Sequence, residues 1–167
     1  MNRMGGVSVR CLALVALALM PAAVAGAQLA QQPIQAETRL DAIFARSSAV
    51  QAGFGLSVPA GIYVRTGVVA GIGASRHGAD GRLDLLARFS LDPFRQSTWA
   101  PYAGAGVSGR FRPDKAGGTR GYLLVLLGLE GGLPAGAREG IVPAFEVGLG
   151  GGARVGVVLR RGIVRRR

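Results

Sequence analysis

Three residue types that together can make a hydrolytic triad fall close together in this chain of 167 residues: Ser75, His77 and Asp80. His77 is the sole histidine, the one side chain here whose ordinary pKa suits a general base near neutrality. Nucleophilic catalysis needs that base preorganised by a third group. The segment that carries it, Arg76–Gly81 (RHGADG), reads as a loop and offers too little scaffold to hold such a geometry. A solvated loop histidine is the expectation. Asp84, Glu130 and Glu146 could act as acid/base partners, but each lies on a segment whose polar face also carries arginine. Ion pairing is the plainer reading. The only cysteine is Cys11, so thiol chemistry, disulfides and cysteine-held metals are not expected, and no cofactor is implied. Gly71-x-Gly73 and Gly104-x-Gly106 recur at period two instead of opening a helix, which excludes a nucleotide loop.

These residues sit on segments of strict alternation. From Leu83 to Leu91 the apolar parity holds Leu83, Leu85, Ala87, Phe89 and Leu91, while the other holds Asp84, Arg88 and Ser90, with Leu86 intruding. Period two predicts a strand with one greasy and one polar face. After a turn at Asp92–Thr98, the segment Trp99–Phe111 repeats the pattern. Val50–Val58, Ile62–Ser75, Gly121–Glu130, Ile141–Leu149 and Ala153–Arg160 do the same, with Val69, Leu124 and Leu126 as exceptions. Seven strands in a meander are clear. Glu37–Ser47 fits either an eighth strand (Leu40, Ala42 and Phe44 against Arg39, Asp41 and Ile43) or a short helix capped by Thr38.

Charged residues make up only 17% of the chain and the mean hydropathy is +0.33, a thin polar skin for a soluble domain. The net charge is +11, yet the nineteen arginines and one lysine are dispersed among the strands. A nucleic-acid binder would concentrate them beside stacking aromatics, so no nucleic acid is expected as partner. Residues 1–27 have the parts of a secretory signal: Arg3 and Arg10, the apolar core Cys11–Met20, and Ala25-Gly26-Ala27 before Gln28. Removing it leaves 18 basic and 9 acidic residues, a charge of +9. Residues 28–36 read as a linker, 37–164 as the folded body and 165–167 as a basic tail. That tail is expected to be disordered, with lipopolysaccharide phosphates as a candidate partner.

Short connections between all strands predict an all-β, antiparallel up-and-down sheet. Such a sheet either closes into a barrel or leaves two edges bare, and in lipid the edges must be satisfied. Even strand counts in single-chain bacterial barrels favour Glu37–Ser47 as the missing eighth strand. The polar parity is poor as a wet surface: Gly53, Gly55, Gly67, Gly71, Gly73, Gly104, Gly106, Gly148 and Gly156 occupy it. Its charges have both signs, with Arg65, Arg88, Arg110, Arg154 and Arg160 against Asp84, Glu130 and Glu146. In a narrow lumen these eight must pair, because an unpaired buried charge costs several kcal/mol, as an order of magnitude. The glycines would make room for Tyr102, Tyr122 and the arginines, or else leave a cavity for a small or lipidic ligand. Phe89, Phe94 and Trp99 around one turn, with Tyr63 beside another, suit interfacial girdles.

With signal, strand rhythm and polar lumen together, residues ~37–164 resemble the small bacterial outer-membrane β-barrels, the eight-stranded OmpA/OmpX-like kind. The resemblance implies a monomer in the outer membrane with the lipid bilayer as partner, working as a structural envelope component or narrow passive pore. It does not imply an enzyme. The chain departs from the family in its ending, Ile163-Val164-Arg165-Arg166-Arg167 in place of an aromatic residue, and in its short loops. A secreted soluble β-barrel with an apolar interior is the rival reading, and an outer-membrane lipid-modifying enzyme using His77 the third.

Overall fold

A computed structural model describes residues 34–46, 48–76, 78–94, 96–112, 119–132 and 140–163. The proposed signal, His77 and the basic tail lie outside the described residues. Eight strands follow in order: β1 (Ile34–Phe44), β2 (Ala49–Pro59), β3 (Val64–Ser75), β4 (Gly78–Ser90), β5 (Trp99–Phe111), β6 (Thr119–Gly131), β7 (Ile141–Leu149) and β8 (Ala153–Ile163). Each pairs antiparallel with the next, and β8 pairs with β1 from Ile34↔Ile163 to Phe44↔Ala153, so the sheet closes. Closure pairs the two outer strands, β1 and β8, that a meander would otherwise leave bare.

Several strand boundaries differ from the sequence expectation, most informatively in the first strand and in the segment before β4. The first strand begins at Ile34, inside the expected linker 28–36, and stops at Phe44 short of Ser47. Gln35 and Ala36 are polar or small and carry no hydrophobic signal of their own. They are extended because Ser57 and Leu56 on one side, and Gly162 and Arg161 on the other, supply ladder partners. The helical alternative for this segment is thereby excluded. The segment Arg76–Gly81 is not a loop throughout, since β4 starts at Gly78 and Asp80 pairs with Gly73. Gly and Asp read as turn formers, but here glycine serves the backbone, with φ of +109° at Gly78, and aspartate serves the interior.

The greasy parity points outward. Leu40, Phe54, Leu56, Leu83, Leu85, Val125, Leu127, Leu129 and Val147 are among thirty exposed large hydrophobic side chains of the described residues, against eleven buried hydrophobic ones. Burying one such side chain is worth about 1.5–3 kcal/mol, so in water this belt would forgo tens of kcal/mol of burial as an order of magnitude. The soluble reading required the opposite orientation. The interior residues that broke the alternation share one place: Val69, Leu86, Leu124 and Leu126 join Tyr102, Ala144 and Val158 in a buried apolar cluster. Aromatics flank the belt, with Tyr63 and Phe89 stacked at 5.7 Å and Trp99 against Phe145 at 5.8 Å toward the end that carries the termini. Phe44 and Phe111 lie at the opposite end.

Candidate functional site

The inward parity of β1 sets Glu37, Arg39 and Asp41 one above another, because alternate residues share a strand face. Arg39 donates from Nε to Asp41 at 2.7 Å and from Nη2 to Glu146 on β7 at 2.6 Å. Across the lumen, Arg82 on β4 reaches Asp41 at 2.6 Å, and Arg88 reaches Glu37 at 2.8 Å. From β8, Arg154 donates to Asp84 at 2.7 Å, while Arg160 spans Glu37, Glu146 and Glu130 at 3.2, 2.7 and 2.5 Å. Tyr102 on β5 gives its hydroxyl to Glu146 at 2.8 Å and lies under the Arg160 guanidinium, 4.7 Å from ring centre.

These contacts form one connected network. In it, among the described residues, the carboxylates Glu37, Asp41, Asp84, Glu130 and Glu146 meet the guanidiniums of Arg39, Arg82, Arg88, Arg154 and Arg160, so charges of both signs are interleaved. Guanidinium suits the task, since its planar fork of five donors binds several carboxylates at once and keeps its charge when buried. A second cluster lies toward the end opposite the termini. There Asp80 accepts from Gln51 at 2.9 Å, from Arg110 at 2.6 Å and from Arg112 at 3.1 Å.

Of the eight expected lumen residues, Asp84, Arg88, Glu130, Glu146, Arg154 and Arg160 meet in the central network. Arg110 belongs to the Asp80 cluster. Arg65 is half-buried near the terminus-bearing end, opposite Arg88 in register. The expectation omitted Glu37, Arg39, Asp41, Asp80 and Arg82, all buried. The signal was present for the first three, which alternate in sequence, but a segment read as strand or helix assigns no face. Asp80 was hidden by its turn-like neighbours.

Side chains use the space that the inward glycines leave. A Cβ on Gly53 would come to 3.0 Å from the Arg39 side chain, and one on Gly55 to 2.9 Å from that of Glu37. A Cβ on Gly104 would lie 2.9 Å from Leu126, one on Gly128 would run into the Tyr102 ring, and one on Gly156 into the Asp41 carboxylate. Tyr122 packs beside Gly151, where a Cβ would stand 2.9 Å from its ring. At these positions the glycines accommodate tyrosine, leucine and charged side chains. Of the three triad residues, His77 lies outside the described residues, the Asp80 carboxylate is taken up by Arg110, Arg112 and Gln51, and the Ser75 hydroxyl donates to the Gly78 carbonyl at 3.2 Å.

No protein-family model matches the chain, and no curated protein matches it. Solved structures do. The N-terminal β-barrel domain of Pseudomonas aeruginosa OprF is similar with a TM-score of 0.59 at 14% identity, covering 80% of this chain and 98% of that one. Neisserial surface protein A (NspA) is similar with a TM-score of 0.54 at 12% identity, covering 78% and 96%. At such identities the likeness establishes the fold, a small closed barrel of the kind the sequence resembles.

Proposed function

We propose that this protein is a monomeric outer-membrane β-barrel whose work is structural, a closed envelope component with an ion-paired plug and no steady open pore. The observation that carries the reading is the inversion of faces: hydrophobic side chains outward, an ion-paired network inward. Lipid is the environment in which that arrangement is stable. The barrel likeness to OprF and to NspA, the latter described as a surface protein, supports the same placement. An eight-stranded barrel is just wide enough to be filled by its own side chains, and here the fillers cross from β1 and β8 to β4. An enzyme is not proposed, because the carboxylates that could serve a base are committed to arginines.

The test is fractionation of expressing cells, then electrophoresis of boiled and unboiled protein, then conductance in a planar bilayer. The expected outcome is recovery in the outer-membrane fraction, a mobility shift on boiling, and no sustained conductance. Recovery in the soluble periplasm without a shift would overturn the membrane placement. A steady conductance from a heat-modifiable barrel would overturn the closed plug alone.

A further inference from the structure

Arg160 and Arg161 are adjacent in sequence and serve opposite sides of the barrel wall. Arg160 joins the lumen network, whereas Arg161 is exposed on the outer surface. The outward parity of the strands is otherwise almost without polar groups. Among the described strand residues it carries three threonines, Thr38, Thr66 and Thr119, and a single charge, Arg161. A charge on the lipid face is costly at mid-depth and costs little at the interface, so its height on the wall matters. In the ladder Arg161 lies between Ala36 on β1 and Ile141 on β7, near the end that carries the termini. Phe145, which packs against Trp99, is in register with Val157, four residues further along β8 toward the middle of the wall. The guanidinium therefore stands just outside an aromatic pair of the kind that marks a membrane interface.

The residues around Arg161 share its face. Ala36, directly opposite on β1, is too short to cover the guanidinium. Thr38 is exposed two residues further along β1 and pairs with Leu159, so it is a diagonal neighbour of Arg161. Diagonal neighbours stand about 7–8 Å apart, a span that one oxyanion can bridge between a long guanidinium side chain and a hydroxyl. Toward the middle of the wall the same face continues as Leu159, Leu40 and Val157, all about half exposed. The acidic residues of the described strands, Glu37, Asp41, Asp80, Asp84, Glu130 and Glu146, all belong to the lumen clusters. No carboxylate of those strands shares the outer face with Arg161.

We propose that the outer face of the β1–β8 seam binds an anionic glycerophospholipid of the leaflet at the terminus-bearing end. Its phosphate sits against Arg161 and Thr38, and an acyl chain lies along Leu159, Leu40 and Val157. Guanidinium binds phosphate oxygens in a paired, planar geometry, a threonine hydroxyl can donate to the same group, and an arginine near a membrane surface favours anionic lipid. Headgroup and chain contacts follow one another on a single surface in the order a lipid requires, charge at the interface and apolar side chains toward mid-depth. A free phosphate would use Arg161 and Thr38 but not the apolar residues, so this order selects the lipid. The basic run that begins at Arg160 is thereby divided in its work, with Arg160 in the plug and Arg161 on the lipid. This proposal rests on the membrane placement above.

Local lipid composition around the barrel tests the site. In a Cys11→Ser background, Ile141→Cys, opposite Arg161 in the ladder, is labelled with a fluorophore. Leu91→Cys serves as control, exposed at the same end just after β4, which stands four strands from β8 in the closed order. Each protein is inserted into phosphatidylcholine vesicles carrying a minor fraction of phosphatidylglycerol brominated on its chains, and then of brominated phosphatidylcholine. Quenching at 141 should favour phosphatidylglycerol about fivefold, the factor that one arginine near a surface contributes, with no such preference at 91. Arg161→Gln should remove the preference. Equal quenching behaviour at the two positions, or a preference that survives Arg161→Gln, would overturn the site. So would loss of the preference on adding inorganic phosphate, which would assign Arg161 to a free ion. Ala36→Cys repeats the measurement from the β1 side should the label at 141 prevent folding. A boiling shift is read for every variant: no shift in the parent protein sinks the membrane placement itself, whereas a shift without local preference sinks this site alone.

Discussion

Glu146 meets four partners in the lumen. It accepts from Arg39, Arg160 and Tyr102, and Arg88 stands 3.3 Å away. Removing one partner from a buried ionic network leaves the others desolvated and uncompensated, which costs about 3–5 kcal/mol. Glu146→Ala should therefore lower the stability of the inserted barrel by that order, read as the denaturant midpoint of the boiling-sensitive mobility shift. Tyr102→Phe removes one hydroxyl from the same carboxylate, which keeps its guanidiniums, so a loss of about 1 kcal/mol is expected. A Glu146→Ala barrel as stable as the parent would mean that the network is slack. Five buried charges, Glu37, Arg39, Asp41, Asp80 and Arg82, were missed, but eight charges on the polar parity were legible from alternation alone. Their partners were not. Arg160 meets Glu37 from 123 positions away, and no local pattern encodes such a meeting.

At the scale of the strand, glycine governs how closely the inner walls approach. Gly128 on β6 lies opposite Tyr102 in the β5–β6 register, and the ring occupies the space a side chain would need. Gly128→Ala should cost about 1–3 kcal/mol by overpacking. That cost should shrink when Tyr102→Ala is added, and a double-mutant cycle in the same unfolding assay measures the coupling. Simple additivity would show that the ring has somewhere else to go. Alternation identified seven of the strands, since a two-residue period with one apolar face is a local property. β1 was ambiguous for an equally physical reason: Leu40, Ile43 and Phe44 satisfy helical spacing as well as part of a strand face. Its conformation is decided by β2 and β8, which offer ladder partners along its length.

For the whole molecule, closure is the decisive property, and it depends on the β1–β8 seam. Removing residues 34–44 would expose the free edges of β2 and β8 and should abolish the boiling shift. Removing 28–33 should leave it intact, because the strand begins only at Ile34. Electrophoresis of the two deletions checks both. If the shorter deletion alone destroyed the shift, the barrel would need more of the chain than its eight strands. Which end of the barrel is uneven also belongs to this scale, since it follows from the offset between strand lengths and registers. No segment read alone contains it.

The sequence by itself determined the class of architecture and the sorting of side chains onto two faces. Both follow from period-two alternation and from short connections, which are local features of the chain. It also indicated that the greasy face should be the outer one, through glycines and opposed charges on the polar parity that would make a poor wet surface. Tertiary structure alone decided which carboxylate meets which arginine, that Asp80 turns inward from a segment that reads as a loop, and that Val69, Leu86, Leu124 and Leu126 interrupt the pattern in order to pack with one another. Each of these depends on which strands face one another across the closed lumen. Closure is a relation between the first strand and the last, so it is written in neither of them separately.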